Sequence, residues 1–229
     1  MINDAPLLTM RRDFPRPSPD EVAAFANVPT GHVIDALGGR GALDHRVKPL
    51  APPAAVLVGV ALTCHAGPAD NLALFAALDA ARPGDIIVTA SDSFTATSIA
   101  GDLLMGMAKN RGILGLVTDG MVRDVAGILG VGLPVYCRGV TPNSPDRNGP
   151  GRVGLPVVLA GVHVAPGDIV VGDGDGVVIV PRAMAGEVIR ALEAVRGAEA
   201  ALEAKVKAGL EIPEFVRAIL DSNRVLEIP

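Results

Sequence analysis

A chain of 229 residues, 49% of them hydrophobic, can bury a full core without disulfides or a structural metal, and this composition excludes a disordered protein. Aromatic residues make up 3%, tryptophan is absent and the net charge is −5, so the stacking platforms and basic groove of a nucleic-acid binder are missing.

Read in chain order, the stretch Met1–Pro17 carries Arg11 and Arg12 but no apolar run of signal-peptide length. Ser18-Pro19-Asp20-Glu21 is a capping box with proline at the first helical position, so a helix starts there and runs into Val22 and Phe25. A second short helix is predicted over Thr30–Leu37, stopped by Gly38-Gly39. Ala54–Cys64 is rich in Val and Leu and reads as a buried strand. Asp70–Ala81 is helical by pattern, and Pro83-Gly84-Asp85 turns the chain into a strand over Ile86–Ala90. Leu103–Lys109 reads as helix, Ile113–Val117 as strand, Asp124–Leu129 as a short helix and Pro134–Cys137 as strand. This alternation predicts an α/β fold with crossover connections.

Thr141–Gly154 holds three prolines and three glycines and reads as one long loop, of the length that often carries function. Four short strands follow, over Val157–Leu159, Val162–Val164, Ile169–Val171 and Val177–Val180. Pro166-Gly167-Asp168 echoes Pro83-Gly84-Asp85 through shared turn chemistry rather than as a repeat. Arg182–Lys207 is a long amphipathic helix closed by Gly209, and Glu214–Leu220 a shorter one. One domain over residues 1–229 is expected, with residues 182–229 as a helical extension. Cys64 and Cys137 lie in apolar runs and read as free buried thiols, and the one uncharged run longer than the ~18 residues of a membrane span, Pro49–Ala69, is broken by Pro49, Pro52, Pro53, His65 and Pro68. The expectation is a cytoplasmic protein with neither membrane nor nucleic acid as partner.

Two segments hold the candidate chemistry. Gly101-Asp102 precedes a helix, so the amides of Leu103, Leu104 and Met105 are the free donors of its first turn, a ready site for a carboxylate. Read blandly, Asp102 is only a helix cap. Thr118–Asp124 leads from a strand to a helix, which places Arg123 and Asp124 at a strand's carboxyl end, where α/β sheets bind ligands. Arginine offers a planar fork for a carboxylate, and aspartate a hard oxygen for Mg²⁺ or Mn²⁺. The bland alternative is a capping Asp124 beside a surface ion pair.

Asp102, then twenty residues, then Arg123-Asp124 resembles the D-x20-R-D motif of the class II pyruvate aldolases related to the RraA family. Flanking segments are similar too, among them Asp70-Asn71, Pro83-Gly84-Asp85, Gly112–Asp124, Pro166-Gly167-Asp168 and Gly172–Pro181. The resemblance implies 4-hydroxy-4-methyl-2-oxoglutarate or 4-carboxy-4-hydroxy-2-oxoadipate aldolase activity, with oxaloacetate decarboxylation beside it. It implies a compact β/β/α swivelling-type domain, assembled as homotrimers or hexamers with sites between subunits. It further implies Asp124 as direct ligand of Mg²⁺ or Mn²⁺, with Asp102 and Glu199 of the adjacent subunit acting through water. Glu203, one turn on, competes with Glu199 for that role. The substrate, a small 2-oxo dicarboxylic or tricarboxylic acid, would meet Leu103, Leu104, Met105 and Arg123, with Arg123 and Asp102 catalytic.

Departures and rivals matter as well. A variant family motif has a further acidic residue three positions after the Arg-Asp pair, where this chain has Gly127. His32 stands where relatives often have a small residue. The four histidines, His32, His45, His65 and His163, show no pair at zinc spacing, and Lys109 is the sole plausible Schiff-base lysine. Gly172–Gly176 reads as a tight turn rather than a calcium loop. Arg147, in the long loop, either meets a distal substrate carboxylate or is a solvated surface residue. A regulator of ribonuclease activity, acting by protein–protein binding, is the alternative from outside enzymology. A methyltransferase reading has no glycine-rich nucleotide loop to support it.

Overall fold

The computed structural model describes residues 6–228, so Met1–Ala5 of the N-terminal stretch considered above lie outside it, as does Pro229. The chain runs β1 (Leu8–Met10), α1 (Pro19–Ala23), α2 (Thr30–Ala36), β2 (Lys48–Pro49), β3 (Leu57–His65), α3 (Leu72–Ala80) and β4 (Asp85–Ala90). Its middle holds β5 (Ser98–Ala100), α4 (Asp102–Asn110), β6 (Gly115–Thr118), β7 (Met121–Val122), α5 (Val125–Val131), β8 (Val135–Cys137) and β9 (Gly139–Val140). It ends with β10 (Gly151–Val153), β11 (Val157–Leu159), β12 (Val162–Val164), β13 (Ile169–Gly172), β14 (Val177–Val180), α6 (Ala185–Lys207) and α7 (Glu214–Leu220).

The fold is mixed α/β with a long C-terminal helix, as expected. Strands β3, β4, β6 and β8 are parallel neighbours, joined through α3, α4 and α5. Their side chains are buried on both faces, which is why these runs read as continuous apolar stretches. One face packs under α3, α4 and α5 through Leu74, Met105, Ile113 and Ile128. The other packs around Tyr136, Val88 and the β11–β12 hairpin. Antiparallel β13 and β14 extend from β3 and carry α1, α2 and the start of α6 on Phe25, Val33, Val188 and Leu192.

Local chemistry behaves as its residues dictate. The Ser18 box closes both ways, Glu21 N–H donating to Ser18 Oγ (3.2 Å) and Ser18 N–H to Glu21 Oε2 (2.8 Å). The echoed turns match in detail: Gly84 and Gly167 both have φ of 93°, and Asp85 and Asp168 each accept the amide three residues back. Residues 172–176 form the turn between β13 and β14, where the Asp173 carboxylate accepts Thr30 N–H at the start of α2 (2.8 Å).

Several boundaries move. The expected loop Thr141–Gly154 ends in strand β10, which pairs with β1 and β3, so backbone pairing overrides its Pro- and Gly-rich composition. The strand expected over Ile113–Val117 is β6, Gly115–Thr118, and the Arg123-Asp124 pair follows β7 instead. A short 3-10 turn, Arg182–Met184, takes the start of the last long helix. Beyond Val195 that helix is exposed, with Leu202 and Val206 in solvent. Among the described residues no helix is long and apolar enough to cross a membrane.

Candidate active site

A second, three-stranded sheet builds the site. Strands β5, β7 and β9 lie parallel, Met121 against Ser98 and Gly139, Val122 against Ala100 and Val140. Each strand releases a polar segment from its carboxyl end: Gly101-Asp102 after β5, Arg123-Asp124 after β7, and the loop holding Ser144 and Arg147 after β9. Arg123 N–H donates to Ala100 O and Thr141 N–H to Val122 O, both at 3.0 Å, so the three exits are held in register. Sequence distance of more than twenty residues becomes adjacency. Asp102, Arg123 and Asp124 wall one cavity of about 240 Å³, together with Asn71, Phe75, Leu103, Leu104 and Arg147. A more open hollow of about 250 Å³ shares Arg123 and Asp124 from beside Val140 and Thr141. The larger groove of about 440 Å³ beside Pro49–Val58 is walled by aliphatic residues, prolines and a glycine, and offers no chemistry.

Neither aspartate is spent on an ordinary cap. Gly101 caps α4, and Asp102 is its first residue, with Oδ1 accepting Leu103 N–H at 2.7 Å. Asp124 stands at the cap position of α5 but in the left-handed region, φ 57° and ψ 45°, and makes no side-chain cap bond. That conformation costs about 1–3 kcal/mol outside glycine, a strain typical of functional positions. It leaves Asp124 Oδ2 3.2 Å from Arg123 Nε. The other end of the guanidinium donates to Ser144 Oγ.

Two glycines make room for this arrangement. A side chain at Gly101 would collide with Asp124 Oδ2, and one at Gly127 with the whole Asp102 carboxylate. The departure at Gly127 is therefore a packing requirement: the space a side chain would need already holds Asp102. Ordinarily glycine to alanine inside a helix gains up to about 1 kcal/mol. Here Gly127→Ala is expected to leave thermal stability near the parent while turnover falls on the order of 10-fold, because the Asp102 carboxylate is displaced by a fraction of an ångström. Parent-like turnover in that variant would contradict the placement of Asp102.

The helix-start cradle is narrower than its sequence suggests. Met105 N–H already donates to Gly101 O at 3.1 Å and Leu103 N–H to Asp102. Among the described residues no backbone acceptor takes Leu104 N–H, which leaves it as the free donor. The side chains of Leu104 and Met105 belong to the core, whereas Leu103 is 77% exposed at the cavity.

Other candidates are not brought in. Glu199 and Glu203 lie on the exposed half of α6 and are not on the cavity wall, and Glu203 pairs with Lys207. His32 is on α2, also off the wall. Lys109 Nζ donates to Val131 O at 2.6 Å, tying α4 to α5. Burial pushes the Cys64 thiol up to about 12, which makes it inert at neutral pH. No three His, Cys, Asp or Glu residues converge among the described residues.

Sequence reasoning gave no role to Asn71, Phe75 or Ser144. Asn71 Nδ2 donates to Ile99 O, and its Oδ1 is buried without a partner. Its signals are its place at the start of α3 and the resemblance of Asp70-Asn71 to the family; Phe75 reads as ordinary core from the helical pattern.

The profile described as RraA-like, Aldolase/RraA, matches residues 30–179. A protein of Halalkalibacterium halodurans, provisionally named 4-hydroxy-4-methyl-2-oxoglutarate aldolase, is 36% identical over 202 residues, 88% of this chain and 94% of its own. The crystal structure of RraAS2 from Streptomyces coelicolor, described as an unusual member of the RNase ES inhibitor RraA family, superposes with a TM-score of 0.75 at 29% identity, covering 83% of this chain and 99% of that one. An uncharacterised protein of Pseudomonas syringae pv. tomato gives 0.74 at 26% identity, covering 86% and 96%. The chain belongs to the RraA-like family.

Proposed function

We propose that the protein is a cytoplasmic, divalent-cation-dependent lyase that cleaves 4-hydroxy-4-methyl-2-oxoglutarate-type acids to pyruvate and decarboxylates oxaloacetate, working as a trimer or a dimer of trimers. The observation that carries this reading is the convergence of Asp102, Arg123 and Asp124 on one cavity from adjacent strand ends. The name of the Halalkalibacterium relative supports the reaction class.

The donor set fits a hard cation. Two carboxylates share the cavity, and Mg²⁺ or Mn²⁺ retains several waters, so few protein oxygens suffice. Asp124 would bind it directly and Asp102 through water, with Glu199 or Glu203 of a neighbouring subunit reaching in from an α6 whose far half is exposed here. When bound, the ion supplies Lewis-acid polarisation of the 2-oxo group. The Leu104 amide orients the adjoining carboxylate. In cleavage the C3–C4 bond breaks, its electron pair becomes the enolate of pyruvate, and the C4 hydroxyl gives up its proton. Asp102, whose Oδ2 has no partner among the described residues, receives that proton directly or through a water and returns it to C3. Arg123 faces the developing oxyanion. With oxaloacetate the same bond breaks, carbon dioxide leaves, and the same enolate is protonated.

Pyruvate release coupled to lactate dehydrogenase tests this. Turnover of hydroxy-oxoglutarates and oxaloacetate should fall to background with EDTA and return with excess Mg²⁺ or Mn²⁺. No metal-dependent turnover of either substrate would sink the reading. The likeness to RraAS2 favours a second one, a regulator that binds a ribonuclease assembly without turnover. It predicts capture by an RNase E-type scaffold that survives loss of Asp102 and Asp124.

A further inference from the structure

Among the described residues two arginines lie over phenylalanine rings, and they differ in one respect. Arg16 stacks 4.6 Å from the centroid of Phe14 and forks onto both oxygens of buried Asp85. Arg147 stacks 5.2 Å from the centroid of Phe75 and has no carboxylate partner among the described residues. Arg147 and Phe75 both wall the cavity that holds Asp102, Arg123 and Asp124.

The backbone around Arg147 is fastened on both sides. Asp146 N–H donates to Ala69 O (2.7 Å) and Asn71 N–H to Asp146 O (3.0 Å). The Asp70 carboxylate then accepts the amides of Asn148 and Gly149. A guanidinium held over an aromatic ring is attracted through its carbon centre and leaves N–H donors at its edge free, and those donors match a carboxylate in bidentate fashion. Arg147 is thus a positioned cation beside the small cavity that holds Asp102, Arg123 and Asp124, with its fork unfilled. On the same wall, Asn71 Nδ2 is committed to Ile99 O, which holds the start of α3 against β5.

We infer that Arg147, held on Phe75, binds the second carboxylate of a 4-hydroxy-2-oxo dicarboxylic acid and so sets the preference for dicarboxylic over monocarboxylic substrates. This rests on the lyase reading of the cavity.

The test compares two reactions of the full-length protein with Mg²⁺. Exchange of pyruvate methyl protons for solvent deuterium, followed by ¹H NMR, engages Arg123 and Asp102 but has no distal carboxylate. Cleavage of 4-hydroxy-2-oxoglutarate has one, and 4-hydroxy-2-oxopentanoate carries a methyl group in its place. In Arg147→Ala the ratio of 4-hydroxy-2-oxoglutarate cleavage to pyruvate exchange should fall on the order of 10- to 100-fold, mainly through KM. The preference for 4-hydroxy-2-oxoglutarate over 4-hydroxy-2-oxopentanoate should collapse equally, and Arg147→Lys should recover part of it. Equal losses on both substrates and on exchange would overturn the proposal and make Arg147 a structural residue. A parent protein with neither exchange nor cleavage would overturn the lyase reading first, and this assignment with it.

Discussion

Replacing Asp124 with asparagine is expected to abolish turnover while leaving the fold intact. Asparagine keeps the shape of the side chain and, among ordinary residues, is one of the few that tolerate the left-handed backbone held there at φ 57°. Alanine would add backbone strain and blur the result. What asparagine removes is the negative charge that a hard cation needs from its direct ligand. Lewis-acid assistance is worth several kcal/mol, and about 4 kcal/mol corresponds to ~10³ in rate. A kcat/KM at least ~10³ lower is therefore expected, together with weaker Mn²⁺ binding by calorimetry. Thermal unfolding should stay within about 4 °C of the parent, the shift that ~1 kcal/mol produces in a domain of this size. Normal turnover in this variant would remove Asp124 from the metal and reassign the site.

How much of this was legible beforehand follows from what each element depends on. Long apolar runs such as β3 and β4 announce themselves, because strands buried on both faces carry almost no polar residues. The cap at Ser18 and the turns at Gly84 and Gly167 were equally plain, since their chemistry is local. The three-stranded sheet beneath the site was not. Its strands are only two or three residues each, too short to show any period, and backbone pairing with distant partners holds them. The candidate site residues could be picked from the spacing of Asp102 and Arg123-Asp124, but not their geometry. Nothing in the sequence says that Gly101 and Gly127 exist to admit two carboxylates, because that is a statement about close approach in space. Phe75 was hidden for a similar reason: a residue on a helix face has the same spacing whether it meets core or cavity.

Arg123 is where the argument from charge is sharpest, and Arg123→Ala is expected to lower kcat by ~10²–10³. Its backbone N–H is bonded to Ala100 O at 3.0 Å, and its side chain spans Asp124 Oδ2 at 3.2 Å and Ser144 Oγ. That bracing fixes the guanidinium before substrate arrives, so little reorganisation is needed as negative charge builds on the enolate oxygen. A charge that only held the substrate's carboxylate would act equally in ground and transition states, and its loss would appear in KM alone. The prediction is a fall in kcat itself, measured by single-turnover cleavage at saturating substrate. Arg123→Lys separates charge from geometry. Lysine keeps the charge as a single flexible point, and it cannot bond Asp124, Ser144 and the oxyanion together. It should recover no more than roughly 10-fold of what alanine loses, since the planar fork provides the rest. A lysine variant as fast as the parent would show that net charge suffices and that the bracing by Asp124 and Ser144 is incidental. A change confined to KM in both variants would move Arg123 from the oxyanion to the substrate carboxylate, leaving the ion on Asp124 to stabilise the enolate alone.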